Sequence, residues 1–102
     1  MPTYVCLMTL TDKGVTRMKH APSEIEQSVM ALEAAGGKLI GFYATMGAYD
    51  YVAISECPSD EVAMSYLMGL AAPGDVRTLT LKAFNFEELK EMVKQLPTPY
   101  SL

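Results

Sequence analysis

A chain of 102 residues, half of them apolar, a fifth charged and with a formal net charge of −4, has material for one core, and residues 1–102 are expected to form a single domain. Its eight basic residues are scattered from Lys13 to Lys94 with no stripe of Lys and Arg among aromatics, so no nucleic-acid partner is expected. The opening MPTYVCLMTL has neither a basic leader nor a long apolar core, and the uncharged run Leu39 to Tyr49 is glycine-broken and too short for a bilayer, so no membrane role is expected either.

Two cysteines, Cys6 and Cys57, make no disulfide framework and are read as reduced thiols of a cytoplasmic protein. One histidine and no Cys-x-x-Cys give no structural zinc site, and neither a metal nor a cofactor is expected.

Thr3 to Leu10 is uncharged and rich in β-branched and aromatic residues, which predicts the first strand. Thr11-Asp12-Lys13-Gly14 breaks it, and a short helical stub over Val15 to Lys19 follows. In APSEIE, Ser23 and Glu26 have the spacing of a capping box. Ile25, Val29, Leu32 and Ala35 then recur at helical spacing until Gly36-Gly37 ends the helix. Lys38 to Thr45 predicts a second strand, Gly47 a hairpin turn and Tyr49 to Glu56 a third strand. Ser59 caps a second helix with Asp60 and Glu61 in its first turn and Val62, Tyr66, Leu67 and Leu70 on its buried face. Met64 and Met68 read as pliable core. Pro73-Gly74-Asp75 stops that helix, Val76 to Ala83 is a fourth strand, and Asn85 with Glu88 caps a last helix ended by Pro97 and Pro99. The order β-α-β-β-α-β plus a C-terminal helix predicts an α+β, ferredoxin-like antiparallel sheet, order 4-1-3-2, with helices on one face.

The other face of such a sheet meets water and should alternate apolar with charged residues. These strands do not: Lys38, Asp50, Glu56, Arg77 and Lys82 all lie toward strand ends. Covering ~600 Å2 of apolar surface per chain would contribute on the order of 15 kcal/mol before association costs. A second copy packed sheet to sheet is therefore the expected partner, and higher oligomers are compatible with it.

GAYDYVAISECPSDEVA, Gly47 to Ala63, with GGKLIGFYATMG before it, GDVRTLTLKAF after it and LTDKGV near the start, resembles the signature of the GYD-domain family from about Tyr4 to Leu89. The resemblance implies a ferredoxin-like fold that dimerises into an α/β barrel, and implies little about activity. RMKHAPSEIE departs from the pattern at His20 and Ser23, so any role of His20 belongs to this chain.

In that topology the ends of strands one and two and the starts of three and four share one end of the sheet. Asp12, Arg17, His20, Tyr49, Asp50 and Arg77 are the candidate ligand-binding residues there, with Gly47 and Gly74 as turn residues. Asp50 shares a strand face with Val52 and Ile54, and Arg77 with Leu79 and Leu81. If those aliphatics turn toward the helices, Asp50 and Arg77 point into a cleft beneath them, and Tyr49 and Tyr51 point to the dimer side. A rim of Asp, Arg and His around an apolar cleft suits a small apolar or anionic molecule. The expected function is a homo-oligomeric small-molecule-binding protein. The alternatives are a cofactor-independent monooxygenase or isomerase, by fold analogy, and a structural or regulatory oligomer without a pocket.

Overall fold

The computed structural model describes residues 1–97. β1 (Thr3–Leu10) is followed by α1 (Asp12–Thr16), a 3-10 turn (Met18–His20), α2 (Ala21–Ala34), β2 (Lys38–Ala44), β3 (Tyr51–Glu56), α3 (Asp60–Ala71), β4 (Val76–Ala83) and α4 (Phe86–Lys94). The sheet order is β2-β3-β1-β4 with every pair antiparallel, which is the expected ferredoxin-like arrangement. β1 and β4 have the predicted bounds. Pro99, expected to help end the last helix, lies outside the described residues.

Local chemistry explains most boundaries. The Ser59 hydroxyl accepts from the Val62 amide at 3.2 Å and starts α3, and Asn85 and Glu88 form a reciprocal capping box on α4. α2 differs from expectation. It begins at Ala21 with His20 as its N-cap residue and Pro22 in its first turn, so Ser23 lies inside the helix and caps nothing. The reason is upstream: the Ala21 amide donates to the Met18 carbonyl, so the 3-10 turn feeds α2 directly, and Pro22 supplies a φ suited to a first turn. Gly47 has φ +103, as a hairpin turn with no Cβ allows.

Two helices lie on one face of the sheet, and the face they cover is the reverse of the expected one. Tyr4, Cys6 and Met8 are buried, with Leu32, Cys57 and Ala63 completing the core. Cys6 pairs across the strands with Ala53 and Thr80, and Met8 with Tyr51 and Thr78. The aliphatic rows point away from the helices. They are Val5 beside Ile54 and Leu81, and Leu7 beside Val52 and Leu79; Leu79 and Leu81 are each 50% exposed. Each face carries charge only toward the strand ends, Glu56 and Arg77 on the outer one and Lys82 on the inner, so polarity did not separate them. The Tyr4 hydroxyl, which donates to Asp60 at the start of α3 at 2.5 Å, ties the Tyr4 face to the helices. α3 buries Val62, Tyr66, Leu67 and Leu70 at least partly, whereas Met64 and Met68 stand in solvent.

Asp50 closes the sheet's end. Its Oδ2 accepts from the Leu10 amide at 2.7 Å, its own amide donates to the Met8 carbonyl, and its carbonyl accepts from the Thr45 amide. Removing the carboxylate leaves the Leu10 amide unpaired, so Asp50→Ala is expected to destabilise the fold by about 1–2 kcal/mol and Asp50→Asn, which keeps an acceptor, by less. Denaturant unfolding of both variants checks the order.

Candidate functional site

The helices do not settle fully onto the sheet. A cleft of about 480 Å3 opens between them. Its floor is built from small or slender side chains, among them Cys6, Ala53, Ser55 and Thr80, which leave the space that larger residues would fill. Ile25, Val29 and Leu32 of α2 and Tyr66 and Leu67 of α3 form the opposite wall. The Tyr66 hydroxyl donates to the Ser28 carbonyl at 2.8 Å, holding α3 to α2 across the top. Burial pushes the Tyr66 phenol up, so it remains the neutral donor this bond needs.

One mouth of the cleft is fixed by α1. The Thr11 amide and hydroxyl donate to the carbonyls of Asp75 and Gly74 at 2.9 and 2.6 Å, and Lys13 Nζ donates to the Pro73 carbonyl at 2.7 Å. Gly14 is required here, because a Cβ would lie 2.1 Å from the Asp75 carbonyl oxygen. This docking sets Arg17 Nε 3.3 Å from Asp75 Oδ2, and Arg17 also pairs with Glu24 of α2. Lys13 Nζ is 4.0 Å from Asp75 Oδ1. The hydrogen bond and charge of Glu24, then Asp75, raise the Arg17 pKa further.

A second polar group lies near the other end of β4. Tyr4, Asp60 and Lys82 form a chain in which Lys82 Nζ donates to Asp60 Oδ2 at 3.1 Å. Burial, followed by the bond to and charge of Asp60, pushes the Tyr4 phenol up to about 12. The same bond, and then Lys82, hold the Asp60 carboxyl below its ordinary value. Cys6 and Cys57 are free, buried thiols pushed up by burial. Thr80 opposes the rise at Cys6, but that contact is not a hydrogen bond of normal geometry, and Thr80 Oγ1 is buried without a partner. Asp75 Oδ1 is the other buried side-chain oxygen without one among the described residues.

Of the six predicted candidates, Arg17 borders the cleft. Asp50 serves the hairpin, and Arg77 shares the outward face of β4 with Leu79 and Leu81 and, among the described residues, reaches only the Val76 carbonyl, at 3.2 Å. The expected convergence of Asp50 and Arg77 on the cleft is therefore corrected by the reversed strand faces. His20 and Asp12 are exposed beside α2 and α1, and the Tyr49 carbonyl accepts from the Thr45 hydroxyl at 2.6 Å. Sequence reasoning missed Asp75, Glu24, Thr80, Tyr4 and Asp60. The available signal was Tyr4, a hydroxyl-bearing residue in register with Cys6 and Met8, facing the start of an acid-rich helix.

Among the described residues no group of His, Cys, Asp and Glu is placed to hold a metal ion, and no helix is long and apolar enough to cross a membrane. The Tyr4 tie has a pH signature. A phenol whose folded-state pKa is raised from 10.0 to about 12 adds stability that is complete below pH 10 and lost between those values as the pH rises. Tyr4→Phe is therefore expected to be less stable than the wild type at neutral pH, with the gap closing over that alkaline range in thermal melts.

Two comparisons bear on this geometry. The GYD domain profile matches residues 4–93. A protein of Thermus thermophilus, "Glutamine synthetase and cystathionine beta-lyase binding protein", is 33% identical over 95 residues, covering 92% of this chain and 100% of that one. No solved structure matches significantly. With the ferredoxin-like sheet, the profile match over nearly the whole described chain and this relative all in agreement, the chain belongs to the GYD-domain family.

Proposed function

We propose that this GYD-domain protein is a homo-oligomeric binding protein that holds a small, mostly apolar molecule in the cleft between sheet and helices. The cleft carries this reading: about 480 Å3 of space sits where a domain of this size would normally pack its core. The outward aliphatic rows support joining a second copy through the sheet, since six contiguous branched side chains on one face are costly to leave in water. The free, buried thiols of Cys6 and Cys57 suit a reducing cytoplasm.

The enzyme alternative draws less support from the same site. At the mouth, Asp75 and Glu24 are both engaged by Arg17. Both thiols are held protonated by burial, and His20 lies outside the cleft. Among the described residues, no base other than these engaged or protonated groups lines the space where a reacting molecule would sit.

A chamber can be filled from within. Ala53 lies on the floor, so Ala53→Leu adds volume to the cleft without touching the outer face. Decanol is expected to bind the wild type at one molecule per chain and to lose roughly tenfold or more in affinity to Ala53→Leu, by titration calorimetry. Equal binding by both proteins would place the molecule elsewhere and remove the reading.

A second reading is favoured by α4. Every described residue from Phe84 onward is exposed, and Phe86, Leu89 and Val93, continued by Leu96, form an apolar stripe on a helix whose other side carries the Lys90–Glu87 and Lys94–Glu91 pairs. A nine-residue helix without tertiary support is marginal, so this stripe is suited to a protein groove. The relative's name records binding to two enzymes, and α4 is the element here best suited to such a contact. Wild-type protein is expected to co-elute with glutamine synthetase of the same organism and a Leu89→Glu, Val93→Glu variant to elute apart; identical elution would exclude α4.

A further inference from the structure

Phe86, Leu89 and Val93 recur along α4 at intervals of three and four, and Leu96 follows three residues later. The amides of Gln95 and Leu96 donate to the carbonyls of Met92 and Val93, each at 3.1 Å, so the chain keeps turning past Lys94 and Leu96 continues the row. A helix that settles on a sheet carries a broad apolar face, whereas two apolar residues per heptad make the narrow seam of a helix pair. α4 has the narrow kind: Glu87, Glu88, Lys90, Glu91 and Lys94 fill the positions between, and Met92 alone widens it. The outer sheet face cannot serve as its groove, because the pairing proposed above already takes that face.

The row is symmetric about residue 91, with Phe86 and Leu96 five positions to either side and Leu89 and Val93 two. An identical helix running antiparallel therefore sets Phe86 of each copy beside Leu96 of the other, and Leu89 beside Val93, as a two-fold contact requires. It also opposes the two helix dipoles and brings Glu87 of each copy level with Lys94 of the other. Lys90, the charge nearest the middle, is bound to Glu87 at 3.1 Å and stands 5.3 Å over its own Phe86 ring, which lessens its repulsion of the second Lys90.

The dimensions agree. β4 is an edge strand, and α4 follows it after two residues. A two-fold axis parallel to the strands puts both α4 helices at one end of the sheet pair, leaving from opposite edges toward each other. Four strands are about 14 Å across, and the nine residues of α4 span about the same length. So short a seam does not hold two chains by itself, but copies already joined through their sheets meet at high effective concentration.

We infer that α4 is a clasp between copies, its Phe86, Leu89, Val93 and Leu96 seam closing antiparallel on the same seam of the copy that covers the outer sheet face. The inference rests on the pairing of the sheets and adds what fixes their orientation. The clasp and the enzyme contact considered above are exclusive uses of one seam.

Spin labels on the full-length protein test it. Gln95→Cys places a label on an exposed position off the seam, while the native Cys6 and Cys57 are buried and stay unlabelled. Pulsed electron resonance is expected to give a label separation below about 30 Å, against roughly 40 Å or more for helices that project apart. Adding Leu89→Glu and Val93→Glu is expected to abolish the short distance and to weaken pairing roughly tenfold or more in a dilution series, with the mass of the pair kept at high concentration. A paired mass with only the long distance, or a short distance that survives the two glutamates, overturns the clasp while leaving the sheet pairing standing. A single-chain mass for the unmutated protein removes the pairing and the clasp together.

Discussion

The hydroxyl of Tyr4 on the carboxylate of Asp60 is the contact on which the arrangement of this molecule depends. β1 is central in the sheet, hydrogen-bonded to β3 on one side and β4 on the other. Whichever face of β1 turns to the helices therefore sets the facing of its two neighbours. With Tyr4 anchored to the first residue of α3, Cys6 and Met8 follow it inward, and Ala53, Tyr51 and Thr80 come with them through the registers. Val5 and Leu7 go outward with Ile54, Val52, Leu79 and Leu81. One polar contact thus separates a face that is small and partly polar from one that is branched and apolar, and the less hydrophobic face is the one the helices cover.

That assignment has an energetic consequence. Few side chains are fully buried, and the space between sheet and helices is a cleft rather than a packed core. A small domain has little stability to spare, and here the strongest block of apolar surface is outside the single chain. A second copy packed on it, as proposed above, would add the burial that the interior lacks. An open cleft within and an apolar face without are two results of the same choice of face. The exposed α4 belongs to the same pattern, since no described residue of the chain buries its stripe.

The fold was largely legible in the chain. Glycine and proline punctuation, the caps at Ser59 and Asn85 and the uncharged strands placed the elements, and the bounds of β1 and β4 were read without error. Ser23 misled because Ser-x-x-Glu is a start signal only where the preceding amides are free, and here the 3-10 turn had already engaged them. The end of the sheet holding the mouth of the cleft was also legible, from the βαββαβ order alone. The residues lining it were not. Alternation states which residues share a face, but with charge confined to the strand ends it cannot state which face is covered, and Asp50 and Arg77 point inward only if the aliphatic rows do. Asp75 looked like a helix stop; its carboxylate acquires a role only when Gly14 lets α1 approach the turn and bring Arg17 beside it.

The central claim is that the aliphatic face of this sheet is covered by a second copy, and mass in solution tests it most directly. Light scattering across a micromolar dilution series is expected to give twice the chain mass of 11.1 kDa, or a multiple of that pair. A Leu79→Glu variant, whose new charge stands on a half-exposed outer position that one chain alone tolerates, is expected to give the single-chain mass while remaining folded. A wild-type mass equal to one chain throughout the series, or a Leu79→Glu protein that keeps the wild-type mass, would contradict it.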